Sequence, residues 1–276
     1  MEVRYDGSLE GLFAILARLY CGDAIPTRIL RAKDAGSRGP SDLFSLLETT
    51  LTSSMGSMDP VAGNAPYSTA DAMAEGFREL SPPAYQDFLY AWMSELPVEV
   101  SMLTFARRIL ETARTVDGRT VQGRNRLEAV RCDRGDPAVR ETLAAAAKVR
   151  HEVHRLLGLL RFKPASGGLF VARCAPDHLS LPALSDHFSL RFGSSPWAIL
   201  DEDRALILRR SPPEAAILEA ADPRDPRWAA GGGEGHDQWE QLWRRYHTTI
   251  AIESRSNPDL QRRLMPRRYW KYLTEV

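Results

Sequence analysis

The residues of this chain best suited to chemistry are imidazoles next to carboxylates. His151-Glu152-Val153-His154 puts two histidines at i and i+3, about 60° apart around a helix, where both could reach one metal ion. This is not the H-E-x-x-H of zinc proteases, because the second histidine arrives one residue early. A third ligand would come from His178, Asp186 or His187. The other reading sets the histidines beside Arg150, Arg155 and Arg161 on a polar helix face, ion-paired or turned to phosphate. No metal and no cofactor is expected. Asp177-His178 and Asp186-His187 repeat the pairing of a carboxylate with an imidazole that general acid–base work uses. No G-x-S-x-G surrounds a serine that could complete a nucleophilic triad. The alternative is structural, with Asp177 as a cap and His187 part-buried beside Phe188. Asp201-Glu202-Asp203 could hold Mg²⁺ for nuclease chemistry or stand solvated in a turn. Cys174 is either a nucleophile or, in a strand, a small buried apolar residue. No phosphate-cradling G-x-x-x-x-G-K-[ST] and no G-x-G-x-x-G is present, and Gly231-Gly232-Gly233 follows no strand.

A second constellation is electrostatic. Arg262, Arg263, Met265, Pro266, Arg267, Arg268, Tyr269, Trp270, Lys271 and Tyr272 interleave guanidinium groups with rings, the combination that holds phosphates and unpaired bases. The chain carries 36 Lys+Arg against 36 Asp+Glu, so this positive charge is local and no global field draws nucleic acid or an anionic membrane. From position 239 onward, eight cations face four anions. The competing reading packs Tyr269, Trp270 and Tyr272 onto the core and leaves the arginines solvated.

The elements that must position these groups follow from periodicity. Short strands are predicted near 3–5, 169–174, 197–200 and 205–209, the last two as a hairpin around Asp201-Glu202-Asp203-Arg204. Ser8 caps a helix that carries Leu12, Ile15, Leu16 and Leu19 and ends at Gly22. Helices near 70–80, 83–95 and 99–115 follow a Gly/Ser/Asp/Pro-rich stretch at 35–70, whose exception is a helical piece at 43–51. Asp136-Pro137 opens the longest helix, to about 160, with Val139, Leu143, Ala146, Val149, Val153, Leu156, Leu157 and Leu160 on its buried face. A helix is expected over 181–192. The last helix, 237–255, carries Trp239, Trp243, Tyr246 and Ile250 as a buried stripe. The economical architecture is a single α+β domain, a small antiparallel sheet embedded in helices, which the strand at 3–5 also joins. It divides into a helical part to about 160, a sheet-containing middle at 161–212, a Pro/Gly-rich linker at 213–236 and a basic-aromatic tail at 237–276.

The 276 residues, 43% of them hydrophobic, suffice for a substantial core. Three scattered cysteines form neither a zinc spacing nor a paired disulfide framework. With no basic stretch leading into an apolar run and no membrane-length apolar segment, the expectation is a cytoplasmic protein off the membrane.

Several blocks match a known family. Tyr5-Asp6-Gly7-Ser8-Leu9-Glu10-Gly11, His151-Glu152-Val153-His154-Arg155, Pro176-Asp177-His178-Leu179, Asp186-His187-Phe188 and Met265-Pro266-Arg267-Arg268-Tyr269-Trp270-Lys271-Tyr272 occur in order. On these the chain resembles the DUF4130 family, whose members are described as DNA metabolism or repair proteins. The resemblance implies a radical-SAM repair protein as partner, or a uracil-DNA glycosylase-like protein, to which some members are fused. It implies work on DNA, damaged or single-stranded, and carries over no catalytic residues. The chain lacks the CxxxCxxC cluster motif, so it is not itself the radical-SAM partner.

The leading expectation is a DNA-binding accessory protein. Arg262, Arg263, Arg267, Arg268 and Lys271 would contact phosphates, Tyr269, Trp270 or Tyr272 would stack on a base, and Arg155 and Arg161 would extend the surface. The first alternative is a DNA-acting glycosylase or hydrolase using His178, Asp186 and His187. The second is an interaction module that docks its partner through the Trp239, Trp243 and Tyr246 stripe. Whether catalysis occurs, which lesion or base is involved, the strandedness of the substrate and the oligomeric state stay open at this stage.

Overall fold

The computed structural model describes residues 2–31, 69–118, 120–228 and 236–274. These residues form two compact units, which meet in sequence between Arg150 and His151. The expected helical piece at 43–51 and the Gly231-Gly232-Gly233 run lie outside the described residues. Among the described residues, no helix is long and apolar enough to cross a membrane.

The first unit is mainly helical. Strand β1 (Glu2–Tyr5) leads into helix α1 (Leu9–Tyr20), capped by Ser8, whose Oγ accepts from the Gly11 amide at 2.9 Å. Its apolar stripe, with Leu12, Phe13 and Leu16, is fully buried. Helices α2 (Ala70–Leu80), α3 (Pro82–Met93), α4 (Glu99–Thr115) and α5 (Val121–Arg131) follow. Phe13, Phe77, Tyr85 and Phe88 interlock in their core, with ring centroids 5.2–6.1 Å apart. Buried Asp87 is answered by two guanidinium groups, Arg131 at 2.6 Å and Arg150 at 2.7 Å.

The expectation that the strand at 3–5 joins the main sheet is corrected. Strand β1 pairs in parallel with β2 (Arg28–Arg31), in a separate two-stranded sheet. A parallel pair needs a crossover, and α1 supplies one within the first 31 residues. That local closure costs less entropy than reaching a strand some 170 positions away.

The longest helix, α6 (Pro137–Leu159), begins at buried Asp136, whose Oδ1 accepts from the amides of Ala138 and Val139 as the Asp-Pro start predicts. Its C-terminal part, from His151, belongs to the second unit. There five strands run in the order β3 (Lys163–Pro164), β4 (Phe170–Cys174), β5 (Trp197–Asp201), β6 (Leu206–Arg210) and β7 (Ile217–Ala220). The predicted β5–β6 hairpin is present, with Asp201 opposite Leu206 and four residues between them.

The sheet is mixed rather than antiparallel, because β4 and β5 are parallel. The chain between them forms a 3-10 turn (Leu181–Leu184) and helix α7 (Ser185–Phe192), a crossover that returns the next strand in the same direction. Edge strand β7 lies inside the stretch expected as linker. Its contact with β6 includes a cross-strand ion pair, Arg209 to Glu219 at 2.6 Å. On one face of the sheet, Val171, Ala198, Leu200 and Ile207 pack with Trp228. Phe188 and Phe192 of α7 lie against Trp197.

Candidate functional site

The basic-aromatic tail divides by side chain. Tyr269, in a 3-10 turn (Arg267–Tyr272), is 2% exposed and donates its hydroxyl to Glu152 Oε1 at 2.7 Å. Arg268 Nη2 reaches the same oxygen at 2.9 Å, and its Nη1 lies 2.6 Å from Asp177 Oδ2. The Asp177 amide also donates to Oε1, at 2.8 Å, while the His178 amide and Ser180 Oγ donate to Oε2, each at 2.9 Å. Five donors thus converge on one carboxylate that is 2% exposed. Burial alone would raise the Glu152 carboxyl, but the Tyr269 hydroxyl, the two amides and Ser180 outweigh it and hold it below its ordinary value. Burial, reinforced by Glu152, pushes the Tyr269 phenol up.

A second acid, Glu202, anchors the rest of the turn. It accepts from Tyr272 Oη at 2.6 Å and lies 2.7 Å from Arg173 and 3.1 Å from Lys271. Burial opposes ionisation, yet these three donors bring its carboxyl down to about 2. Trp270 Nε1 donates to the Met265 carbonyl, and Arg267 stands over the Trp270 ring. Arg262, Arg263, Arg267 and Lys271 remain exposed, Arg262 paired with Asp259. Arg155 is half-buried, and Arg161 donates to the Gly158 carbonyl at 2.8 Å.

Of the carboxylate–imidazole candidates, Asp177 and His178 enter this network, Asp177 by its amide and carboxylate and His178 by its amide. His151 and His154 are exposed on either side of inward-turned Glu152. Among the described residues, no group of three His, Cys, Asp or Glu side chains could hold a metal. His178 is half-buried, while Asp186 and His187 stand exposed on the first turn of α7, with the His187 ring edge-on to Phe188 at 4.9 Å. Partial burial raises the Asp186 carboxyl. In the acidic turn, Asp201 is fully buried: its Oδ1 accepts from the Asp203 and Arg204 amides and its Oδ2 from Arg204 Nη1 at 3.0 Å. Cys174 is buried in β4, where burial raises its thiol.

An arrangement with an open binding shape lies where the end of α6, β3, β4 and α7 meet helix α8 (His236–Ile250). A cleft of about 620 Å³ there is walled by Phe162, Phe170, Phe188, Phe192 and Trp243. Phe162 lies 4.9 Å from Phe188 and 4.7 Å from Phe192, and Phe170 5.4 Å from Phe192, so the rings form one continuous surface. The charged lining is cationic apart from one acid. Arg161, Lys163 and Arg191 line it, and Glu240 Oε1 lies 2.5 Å from Lys163 Nζ. Arg191 is exposed and has no ion pair among the described residues. Of these residues, Arg161 alone was a candidate from sequence. The Phe162, Phe188 and Phe192 recurrence around two arginines was a readable signal; the part played by α8 was not.

The expectation that Trp243, Tyr246 and Ile250 are buried on the last helix is corrected. They are 42%, 54% and 53% exposed, with Leu242 beside them at 55%. The contacts of helix α8 include Lys163 to Glu240 and Arg244 Nε to the Thr274 carbonyl at 2.9 Å.

The fold and this cleft define an α+β protein with an open, aromatic, cation-rimmed cleft on its sheet-containing unit. The chain belongs to the DUF4130 family, a domain of unknown function, whose match covers residues 113–275 and so takes in the cleft and the Glu152 network. No curated protein and no solved structure matches it.

Proposed function

We propose that this chain is a DNA-binding protein that takes an unpaired base into the aromatic cleft, as an accessory to a repair or base-modification system with a radical-SAM protein as partner. The supporting observation is the cleft itself. The half-buried rings of Phe162, Phe170 and Phe192 and the exposed Trp243 indole offer apolar surface to a base, and guanidinium groups beside them suit the flanking phosphates. Its volume is in the range of small-ligand sites. Arg262, Arg263 and Arg267, exposed on the tail, would extend the phosphate track.

The test is affinity for single-stranded, duplex and mismatched DNA across a salt series. With about three phosphates engaged by a single strand, log K falls with log salt at a slope of roughly −2. Arg191→Glu lowers single-strand affinity and flattens the slope, and Phe192→Ala lowers affinity with the slope unchanged. Equal affinity in both variants and the parent chain would remove the cleft from the binding surface.

A second reading draws on a different observation. Of the ten large apolar side chains exposed among the described residues, seven fall between positions 242 and 264. Such a concentration suits a protein partner. Loss of co-purification with a tagged radical-SAM partner in a Leu242→Ser/Tyr246→Ser/Ile250→Ser variant would support it; undiminished capture would end it.

A further inference from the structure

We propose that the exposed apolar surface on α8 and α9 (Pro258–Leu264) docks an amphipathic helix of another protein, one with acidic flanks; this rests on the second reading above, that the surface takes a protein partner. A short pattern occurs there twice, Leu242-Trp243-Arg244-Arg245-Tyr246 on α8 and Leu260-Gln261-Arg262-Arg263-Leu264 on α9. Each places a leucine and a second apolar residue at i and i+4, on one helix face, and all four side chains are exposed. The second arginine of each pattern follows its leucine by three positions, about 60° around the helix, and so borders that face.

The two arginines of each pattern are used differently. The first is engaged within the chain. Arg244 Nε donates to the Thr274 carbonyl and its Nη2 lies 3.8 Å from Glu240, while Arg262 pairs with Asp259 and its Nε donates to the Pro258 carbonyl at 3.2 Å. The second, Arg245 or Arg263, is exposed, and neither guanidinium has a hydrogen bond or ion pair among the described residues. An apolar pair bordered by an unanswered cation is therefore presented twice. Apolar rows at helical spacing receive the apolar row of another helix, and a cation beside them favours a carboxylate and disfavours a like charge. Leucine and isoleucine offer a nucleobase no stacking face, so phosphate binding would leave these rows uncovered. A second copy of the chain brings no matching row. Outside 242–264, the large apolar side chains exposed among the described residues are Val121, Leu190 and Ile217, on three different elements. Arg263 then serves the partner instead of extending the phosphate track.

The experiment uses the full chain and two fluorescent helical peptides, read by anisotropy. Both carry leucine at i, i+3, i+4 and i+7 spacing, flanked by glutamate in one and by lysine in the other. The glutamate peptide should bind about tenfold more tightly than the lysine peptide, and the gap should narrow as salt rises. Arg245→Glu/Arg263→Glu, at two exposed positions, should reverse the order. Serine in place of the leucines of the glutamate peptide should abolish its binding. Equal binding of the two charged peptides would overturn the acidic flanks and leave a non-selective apolar docking site. If neither peptide binds at low salt, the protein-partner reading falls as well. Three other outcomes would give the surface a different occupant and overturn the proposal. Binding to phosphatidylcholine vesicles only when they contain phosphatidylserine, with no peptide bound, would make it an anionic membrane. A dimer in sedimentation that Leu260→Ser/Leu264→Ser dissolves would make it a second copy. Weaker single-strand DNA binding by the double arginine variant, with peptide affinities unchanged, would return both cations to phosphate.

Discussion

Glu152 occupies the apolar stripe of α6, three residues after Val149 and four before Leu156, where an unanswered carboxylate would cost several kcal/mol, on the order of a buried charge in other proteins. The network of Tyr269, Arg268, Ser180 and two amides answers it with donors from two separate stretches of chain, 177–180 and 268–269. Truncation should therefore cost far more than loss of a surface charge. Glu152→Ala is expected to destabilise by about 3 kcal/mol, since Arg268 is left without its buried partner. Arg267→Ala, at an exposed position, should change stability by less than about 0.5 kcal/mol. Chemical denaturation midpoints of the two variants give the comparison. The same geometry governs charge reversal on the tail. Arg268→Glu sets two acids against a third and should unfold the turn, so any loss of DNA binding it caused would not report a phosphate contact. Part of this was legible: an acid inside an apolar stripe has to find donors. That its partner is Tyr269, 117 positions away, was not, because the pairing depends on how the tail returns to the sheet.

At the scale of elements, the hairpin and the tail turn are joined through Glu202, and their connection depends on its charge. Its carboxyl in the folded chain lies near 2, below its ordinary value of 4.5, so its contribution to stability is complete above pH 4.5 and drains away as pH falls toward about 2. Glu152, also lowered, adds to the same acid limb. The thermal midpoint should decline as the solution is acidified through this window, and Glu202→Gln should flatten part of the decline. Tyr272→Phe, which removes the first of the three donors, should flatten it less. An acid limb identical in all three proteins would show that the contact does not hold the turn. Four of the seven described strands, β1, β4, β5 and β6, were readable to within a residue, because short apolar runs bounded by turns mark them. Their partners were less so. The 175–196 segment contains a helix, and a helical crossover dictates a parallel pair, so the mixed sheet could have been inferred. Strands of two and four residues such as β3 and β7 are too short to show alternation, and only pairing with a neighbour defines them.

For the whole molecule, balanced charge conceals local imbalance of two kinds, in cations and in apolar surface. The exposed apolar residues gather on α8 and on α9 (Pro258–Leu264), while the first unit exposes one such residue, Val121, among those described. Replacing Leu242, Tyr246 and Ile250 together with serine should leave stability within about 1.5 kcal/mol, roughly 0.5 for each exposed site. Phe188→Ala, in the sheet core, should cost about 3–5 kcal/mol. Equal losses in the two proteins would mean that α8 is packed in solution. The sequence pattern on α8 was read as a buried stripe because period alone cannot say what covers an apolar face; the same spacing serves a core and an interface.

Trp243 belongs to both of these surfaces, walling the cleft and standing in the apolar row of α8. Two ligands that engage one indole are thermodynamically linked. Whatever factor a bound base applies to the affinity for a partner on the helix, the partner applies the same factor to the affinity for the base. If the cleft takes a base and the helix a partner, as proposed, a single side chain would make each the other's effector, with no change of fold required.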